Sequence, residues 1–247
     1  MTLAIISHRC RGFGEEENTL AALEKALAAK IDAVEIDVRL TKDEKLVVGH
    51  DASYRDARGR KRVIADETLS VAVRNGKMAF ETALVTFKKR GKGTVLQADV
   101  KSRGCEEELV ALVKKHKLER RVVVVSWIGA VLQRVHALAP ELTLSFSFAQ
   151  KVWTSYETGV PFWFAARLPY TIRERVVPLE TVNIVPLVRA SRFLVWRLRR
   201  RGLKVVVVNV DDENGNARLE RLGAWGTMTN RPREVSKYLM RKNSEEK

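Results

Sequence analysis

In the stretch Ala33-Val34-Glu35-Ile36-Asp37-Val38, two carboxylates stand two positions apart inside a β-branched run. The two-residue period of a strand sends Glu35 and Asp37 to one face and Val34, Ile36 and Val38 to the other. Like charges held that close are unfavourable without a compensating cation or protons. An oxygen-rich pair of this kind suits a hard divalent metal, Mg2+ or Ca2+, with Mn2+ also accommodated. The same period in Leu96-Gln97-Ala98-Asp99-Val100-Lys101 puts Gln97, Asp99 and Lys101 on one face, so that Asp99 can complete the carboxylate set. Lys101 is then placed to neutralise a phosphate oxygen, and Arg9 to do so bidentately. Taken singly, each of these residues is equally well explained as half of an ion pair. Together they combine anionic metal ligands with cationic phosphate ligands, beside His8, which directly follows the first apolar run. His116 and His136 lie on helix-like segments without such company and read as structural or surface residues.

Only Thr41-Lys42-Asp43-Glu44 separates the run 33–38 from the next, 46–49. A parallel crossover needs a dozen or more residues, so the second run must return as a hairpin. With a symmetric four-residue loop, 40 pairs with 45, 38 with 47 and 35 with 50, which sets His50 opposite Glu35. Cross-strand partners share a face with Cβ atoms about 5 Å apart, so this register delivers a second histidine to the metal. A slip of one residue sends it away.

Short β-branched runs that alternate with amphipathic stretches must position these groups. The strand candidates are 3–6, 33–38, 46–49, 94–99, 122–126, 142–147, 181–185, 204–209 and 225–229, with helix-like segments at 18–30, 106–117, 128–138, 189–201 and 232–242. Setting aside the hairpin return leaves eight parallel strands, which predicts a (β/α)8 TIM barrel with a short β-hairpin return after the second strand. In such barrels the active site lies at the C-terminal ends of the strands, where the groups above fall. Residues 51–93 depart longest from the rhythm and read as a variable excursion. A second departure, 150–175, carries Trp153, Phe162, Trp163, Phe164 and Tyr170, which read as packed loop anchors, or alternatively as a lid or membrane-dipping surface.

A length of 247 residues fits one domain spanning 1–247. The 45% hydrophobic content can supply a sizeable core, and no apolar run reaches the roughly 20 residues of a membrane span. The opening MTLAIISHRCRG lacks a basic segment before its apolar run, and Cys10 and Cys105 have neither CxxC spacing nor disulfide density, so the expected address is cytoplasmic. The net charge of +15 raises anionic partners. Without zinc-finger spacing or an RNA-binding aromatic signature it indicates no specific nucleic acid, and runs such as 58–62, 88–90, 114–117 and 197–201 read first as solvated faces. The expected partner is a small phosphodiester, with peripheral contact to an anionic membrane allowed by the charge. The sequence does not set the oligomeric state.

The motifs HRCRG (8–12), EENT (16–19), EIDV (35–38), TKDE (41–44) and HD (50–51) follow one another in an order and spacing that resembles the glycerophosphodiester phosphodiesterase family, whose pattern reads HRG, PENT, EIDV, TKDG and HD. Weaker similarity runs on through Ala98-Asp99-Val100-Lys101 (family EIK), Ser126-Trp127 and LGAWGTMTNRP. The resemblance implies His8 and His50 as general acid and base, Glu35, Asp37 and Asp99 as metal ligands, Arg9 and Lys101 as phosphate ligands, and Glu17 in a supporting position. It implies hydrolysis of glycerophosphodiesters to glycerol 3-phosphate and an alcohol, or a related lysophospholipase D reaction. A barrel that only binds phosphorylated or acidic ligands is the competing reading, supported by departures from the pattern. An extra residue precedes Gly12, Glu16 replaces proline and Asp99 replaces glutamate. Val208-Asn209-Val210-Asp211 stands for WTVN without its tryptophan, and Asn230 stands where aspartate is usual.

Overall fold

The structure, a computed structural model, describes residues 3–148, 180–184 and 192–245. The aromatic stretch from Trp153 to Tyr170 lies outside these residues.

The strands are β1 (Ala4–Ser7), β2 (Ala33–Leu40), β3 (Leu46–Val48), β4 (Ser53–Arg55), β5 (Lys61–Val63), β6 (Met78–Ala79), β7 (Val95–Val100), β8 (Val122–Ser126), β9 (Thr143–Phe148), β10 (Thr181–Ile184), β11 (Lys204–Val208) and β12 (Gly226–Thr229). Eight of them, β1, β2 and β7 to β12, form a parallel sheet that closes because β1 pairs with both β12 and β2. This is the (β/α)8 barrel expected from the alternation of runs. The hairpin return is β3, which pairs antiparallel with β2 and carries β6 on its other edge.

Buried on both faces, the barrel strands read as near-continuous apolar runs, as in Val122-Val123-Val124-Val125. Their outward side chains, among them Val34, Ile36, Val38, Leu96 and Ala98, pack against Leu23, Ala26, Leu84 and Phe87 of the surrounding helices in one continuous core. A smaller cluster of Ile6, Ala33, Val206, Val208 and Met228 fills the barrel interior. The helices begin and end where local chemistry dictates. Glu106–His116 has three glutamates in its first turn and Lys114, Lys115 and His116 in its last, each sign favourable to the helix dipole. Glu213–Leu222 is capped by the Asp212 side chain, which accepts from the Gly215 N–H at 2.7 Å, and ends on Gly223 in the left-handed region (φ 72°).

Between β3 and β7 the chain adds the antiparallel pair β4–β5, the short helix Leu69–Arg74 and the helix Phe80–Arg90. The last of these packs against the helices Leu20–Ala28 and Glu106–His116, as the helices of the outer ring do. Basic runs here and elsewhere are partly neutralised. Arg60 and Arg62 bond Asp56, Lys115 pairs with Glu81 at 2.7 Å and Lys114 with Glu141 at 3.2 Å. No helix among the described residues is long and apolar enough to cross a membrane.

Candidate active site

The two-residue period does what the sequence requires of it. Glu35 and Asp37 point into the barrel with 2% and 1% exposure, and the parallel ladder sets Asp37 directly beside Asp99 and Glu35 beside Gln97. One carboxylate oxygen from each of Glu35, Asp37 and Asp99 lies within 4.8 Å of the other two.

Two cations meet this cluster. Lys101 Nζ lies 2.9 Å from Asp37 Oδ1 and 2.5 Å from Asp99 Oδ2. Arg9 Nε lies 3.3 Å from Asp37 Oδ2, and the Arg9 backbone N–H donates to Glu35 Oε2 at 2.7 Å. Arg9 is aimed there by Glu17, which accepts from its Nη1 at 3.1 Å and also pairs with Arg11.

The carboxylates divide electrically. Burial opposes ionisation at all three. At Asp37 the charges of Lys101 and Arg9, with hydrogen bonds from Lys101 and Asn18, outweigh burial and lower its pKa. At Glu35, burial and then the neighbouring Asp37 charge push the carboxyl well above its usual range, and at Asp99 burial likewise prevails over Lys101. Two cations for three acids leave a deficit of positive charge. Glu35 Oε1 and Asp99 Oδ1 are buried without a hydrogen-bond partner and so have lone pairs to offer. An all-oxygen donor set with unpartnered atoms fits a hard divalent cation, and Glu35, Asp37 and Asp99 are the residues that could hold one.

His8 ends β1 at the barrel mouth, with Nδ1 3.0 Å from Asn230 Oδ1 at the end of β12. Burial, and after it the charge of Arg9, lower its pKa to about 4. The extra residue in HRCRG is absorbed by a tight turn in which Arg9 and Cys10 both take left-handed conformations (φ 53° and 57°). Cys10 drops into the core and Arg11 N donates to His8 O at 3.0 Å. Gly12 (φ 96°) closes that turn against Pro232, whose Cδ lies 2.3 Å from where a Cβ would stand.

The hairpin register differs from the symmetric one. Val38 pairs with Val48 and Leu40 with Leu46, a shift of one residue. The cause is the turn. Thr41 closes on Lys45, its N–H donating to Lys45 O at 2.9 Å and its hydroxyl accepting from Lys45 N at 3.1 Å, while Glu44 takes a left-handed conformation (φ 56°). The loop is therefore the three residues Lys42 to Glu44, a length that needs one such conformation. His50 does not pair with Glu35. It follows Gly49, whose N–H donates to Asp37 O at 3.0 Å, and sits partly exposed with Nδ1 2.7 Å from Asp51 Oδ1. Its charge still favours ionisation of Asp99, and its carbonyl accepts from Arg39 Nε at 2.8 Å.

Asn18 is a residue the sequence reading passed over. Its Nδ2 donates to Asp37 Oδ2 at 2.8 Å and its Oδ1 accepts from Asp37 N at 3.2 Å. The signal was its place in the motif Glu17-Asn18-Thr19, in which the glutamate orients Arg9, the asparagine pins Asp37 and the threonine caps the next helix by accepting from Ala22 N at 3.2 Å. His116 pairs with Glu81 at 3.0 Å, and neither it nor His136 belongs to the cluster.

A parallel barrel whose C-terminal mouth carries three buried carboxylates, two guided cations and a partly buried histidine has the architecture of a barrel phosphodiesterase. The model of the glycerophosphoryl diester phosphodiesterase family matches residues 7–81 and 94–234, and the chain belongs to this family of phosphoric diester hydrolases. It is 28% identical over 251 residues to a glycerophosphodiester phosphodiesterase of Caldanaerobacter subterraneus subsp. tengcongensis, covering 94% of this chain and 96% of that one. It is 26% identical to the lysophospholipase D GDPD3 of Homo sapiens, covering 90% and 80%. Its fold is similar to a crystal structure from Silicibacter pomeroyi described as a glycerophosphoryl diester phosphodiesterase (TM-score 0.84, 20% identity, 98% and 94% covered). It is also similar to an Oleispira antarctica phosphodiesterase in complex with the product sn-glycerol-3-phosphate (TM-score 0.73, 21% identity, 96% and 97% covered).

Proposed function

We propose that this protein, acting as one domain, hydrolyses glycerophosphodiesters to glycerol 3-phosphate and an alcohol, with a divalent metal held by Glu35, Asp37 and Asp99. The observation that carries the reading is the unpartnered oxygens of the carboxylate cluster, set beside two cations that can neutralise a phosphate. When bound, the metal supplies Lewis-acid stabilisation of charge on phosphate oxygens; Mg2+, Ca2+ and Mn2+ all suit the donors. Arg9 and Lys101 orient and neutralise the phosphate. One of His8 and His50 takes the proton from the attacking oxygen, that of water or of the substrate's own glycerol hydroxyl, as that oxygen bonds to phosphorus; in the second case a water then opens the resulting cyclic phosphate. The other gives a proton to the alcohol oxygen as the bond from phosphorus to that oxygen breaks.

The helix Arg192–Arg199 supports a second substrate range. Phe193 and Trp196 are 58% and 55% exposed, with the guanidinium of Arg197 6.0 Å from the Phe193 ring and that of Arg200 5.9 Å from the Trp196 ring. Exposed aromatics among arginines suit the interface of an anionic membrane and favour lysophospholipids. The test is product release from glycerophosphocholine, glycerophosphoethanolamine and lysophosphatidylcholine, each with Mg2+, Ca2+ or Mn2+ and with chelator. Metal-dependent release of glycerol 3-phosphate from the soluble diesters is expected. Release of choline from lysophosphatidylcholine alone would select the lysophospholipase D reading, and no turnover of any of the three would overturn both.

A further inference from the structure

His8 is held from behind by a pair of side chains that the reaction does not itself require. Asn230 Oδ1 lies 3.0 Å from His8 Nδ1, while Asn230 Nδ2 lies 2.9 Å from Asp211 Oδ2. Asp211 Oδ1 also accepts from Asn230 N at 2.7 Å and from the Thr229 hydroxyl at 2.8 Å. Burial opposes ionisation of Asp211, but these hydrogen bonds outweigh it and keep its pKa below the usual value, so it is an acceptor only. The amide must therefore turn its NH2 to Asp211 and its oxygen to His8. A second neighbour requires the same orientation, because Arg11 Nη1 donates to Asn230 Oδ1 at 3.1 Å. An oxygen can only accept, so the hydrogen between Asn230 and His8 resides on Nδ1.

We propose that Asp211 and Asn230 are positioning residues, a two-step hydrogen-bond relay that fixes His8 as the Nδ1–H tautomer with a bare Nε2 and so assigns it the role of base. Neither touches the reacting atoms; both act through His8. The groups facing His8 agree with a neutral ring. Arg9 and Arg11 disfavour a charged imidazole, Asp37 favours one, and the ring's hydrogen-bond partner among the described residues, Asn230, is uncharged. His50 is then left to protonate the leaving alcohol. These are also two positions where the sequence departs from the family pattern, and the departures are reciprocal: the amide and the carboxylate have changed places. The inference rests on the proposed two-histidine reading for the word base, but the tautomer stands apart from it.

The experiment is two-bond 1H–15N correlation NMR of the 15N-histidine-labelled protein with Mg2+ at pH 7, with His8→Ala to assign the signals, alongside kcat and KM on glycerophosphocholine. The wild type is expected to show His8 protonated at Nδ1. Asp211→Asn, which removes the stronger of the two constraints on the Asn230 amide and leaves only Arg11 to orient it, is expected to give a mixed tautomer and a kcat lower by about 10-fold or more, with KM changed less than about 3-fold. The exchange D211N/N230D keeps one amide and one carboxylate. It should retain the Nδ1–H tautomer and recover most of the rate, with the acidic limb of its pH profile moved to higher pH because His8 then faces a carboxylate. An Nε2–H tautomer in the wild type would overturn the proposal, as would an unmoved limb in the exchange variant. An Nδ1–H tautomer in a protein inactive on every substrate would uphold the relay and refute the proposed function.

Discussion

The two walls of the barrel mouth differ in kind. Along β1, β2 and β7 the inward polar groups near the top are mostly charged or fastened to a charge, Glu35, Asp37, Asp99, Lys101, Arg9 and Asn18, with Gln97 the uncharged exception. Along β8 to β11 the inward positions near the top include Val123, Val125, Ser145, Ser147, Thr181, Asn183, Val206 and Val208, none of them ionisable among the described residues, and the Ser145 hydroxyl, Thr181 Oγ1 and Asn183 Oδ1 are buried without a partner. One wall thus fixes charge in place. The other, along these strands, contributes mainly shape.

The sharpest break of this comparison is Asp37→Ala. It removes the buried carboxylate shared by Lys101, Arg9 and Asn18 and leaves Lys101 to Asp99 and Arg9 to Glu17 alone, so activity should fall at least about 100-fold and stability by about 3 kcal/mol, read by product assay and urea denaturation. Next comes pH. The folded pKa of His8, about 4, lies below its ordinary 6.5, so between those values the unfolded chain takes up a proton that the folded chain refuses. Stability present above pH 6.5 should therefore be lost as pH falls towards 4, by on the order of 3 kcal/mol, and His8→Asn should lose that part of the slope. Asn18→Ala frees Asp37 from two hydrogen bonds and should cost about 1–3 kcal/mol with a smaller drop in rate than Asp37→Ala. On the opposite wall, Ser145→Ala deletes an unpartnered hydroxyl, and its stability should change by less than about 1 kcal/mol with kcat unchanged. A loss at Ser145 as large as that at Asn18 would dissolve the distinction between the walls.

The charged wall was legible in the sequence because its logic is local. A period of two settles which side of β2 and β7 carries Glu35, Asp37, Asp99 and Lys101, and the eight barrel strands stand out as short apolar runs, several of them β-branched. The hairpin register was not legible, since it turned on the side-chain closure of Thr41 and the left-handed Glu44, choices of a turn that residue type leaves open. The contacts of Asn18 with Asp37, and of Asn230 with His8 and Asp211, join residues 19, 222 and 19 positions apart, which only the closed barrel brings together. In each case the residue lay within a motif already singled out, but its partner did not follow from spacing.

The most direct test of the central claim is glycerol 3-phosphate release from glycerophosphocholine by the wild type and by Glu35→Gln, over a titration of Mg2+ and then with chelator. Release that saturates with metal, stops with chelator and, in Glu35→Gln, needs far more metal is the predicted result. Equal release by both proteins in the presence of chelator would contradict the assignment of the carboxylate wall as a metal site.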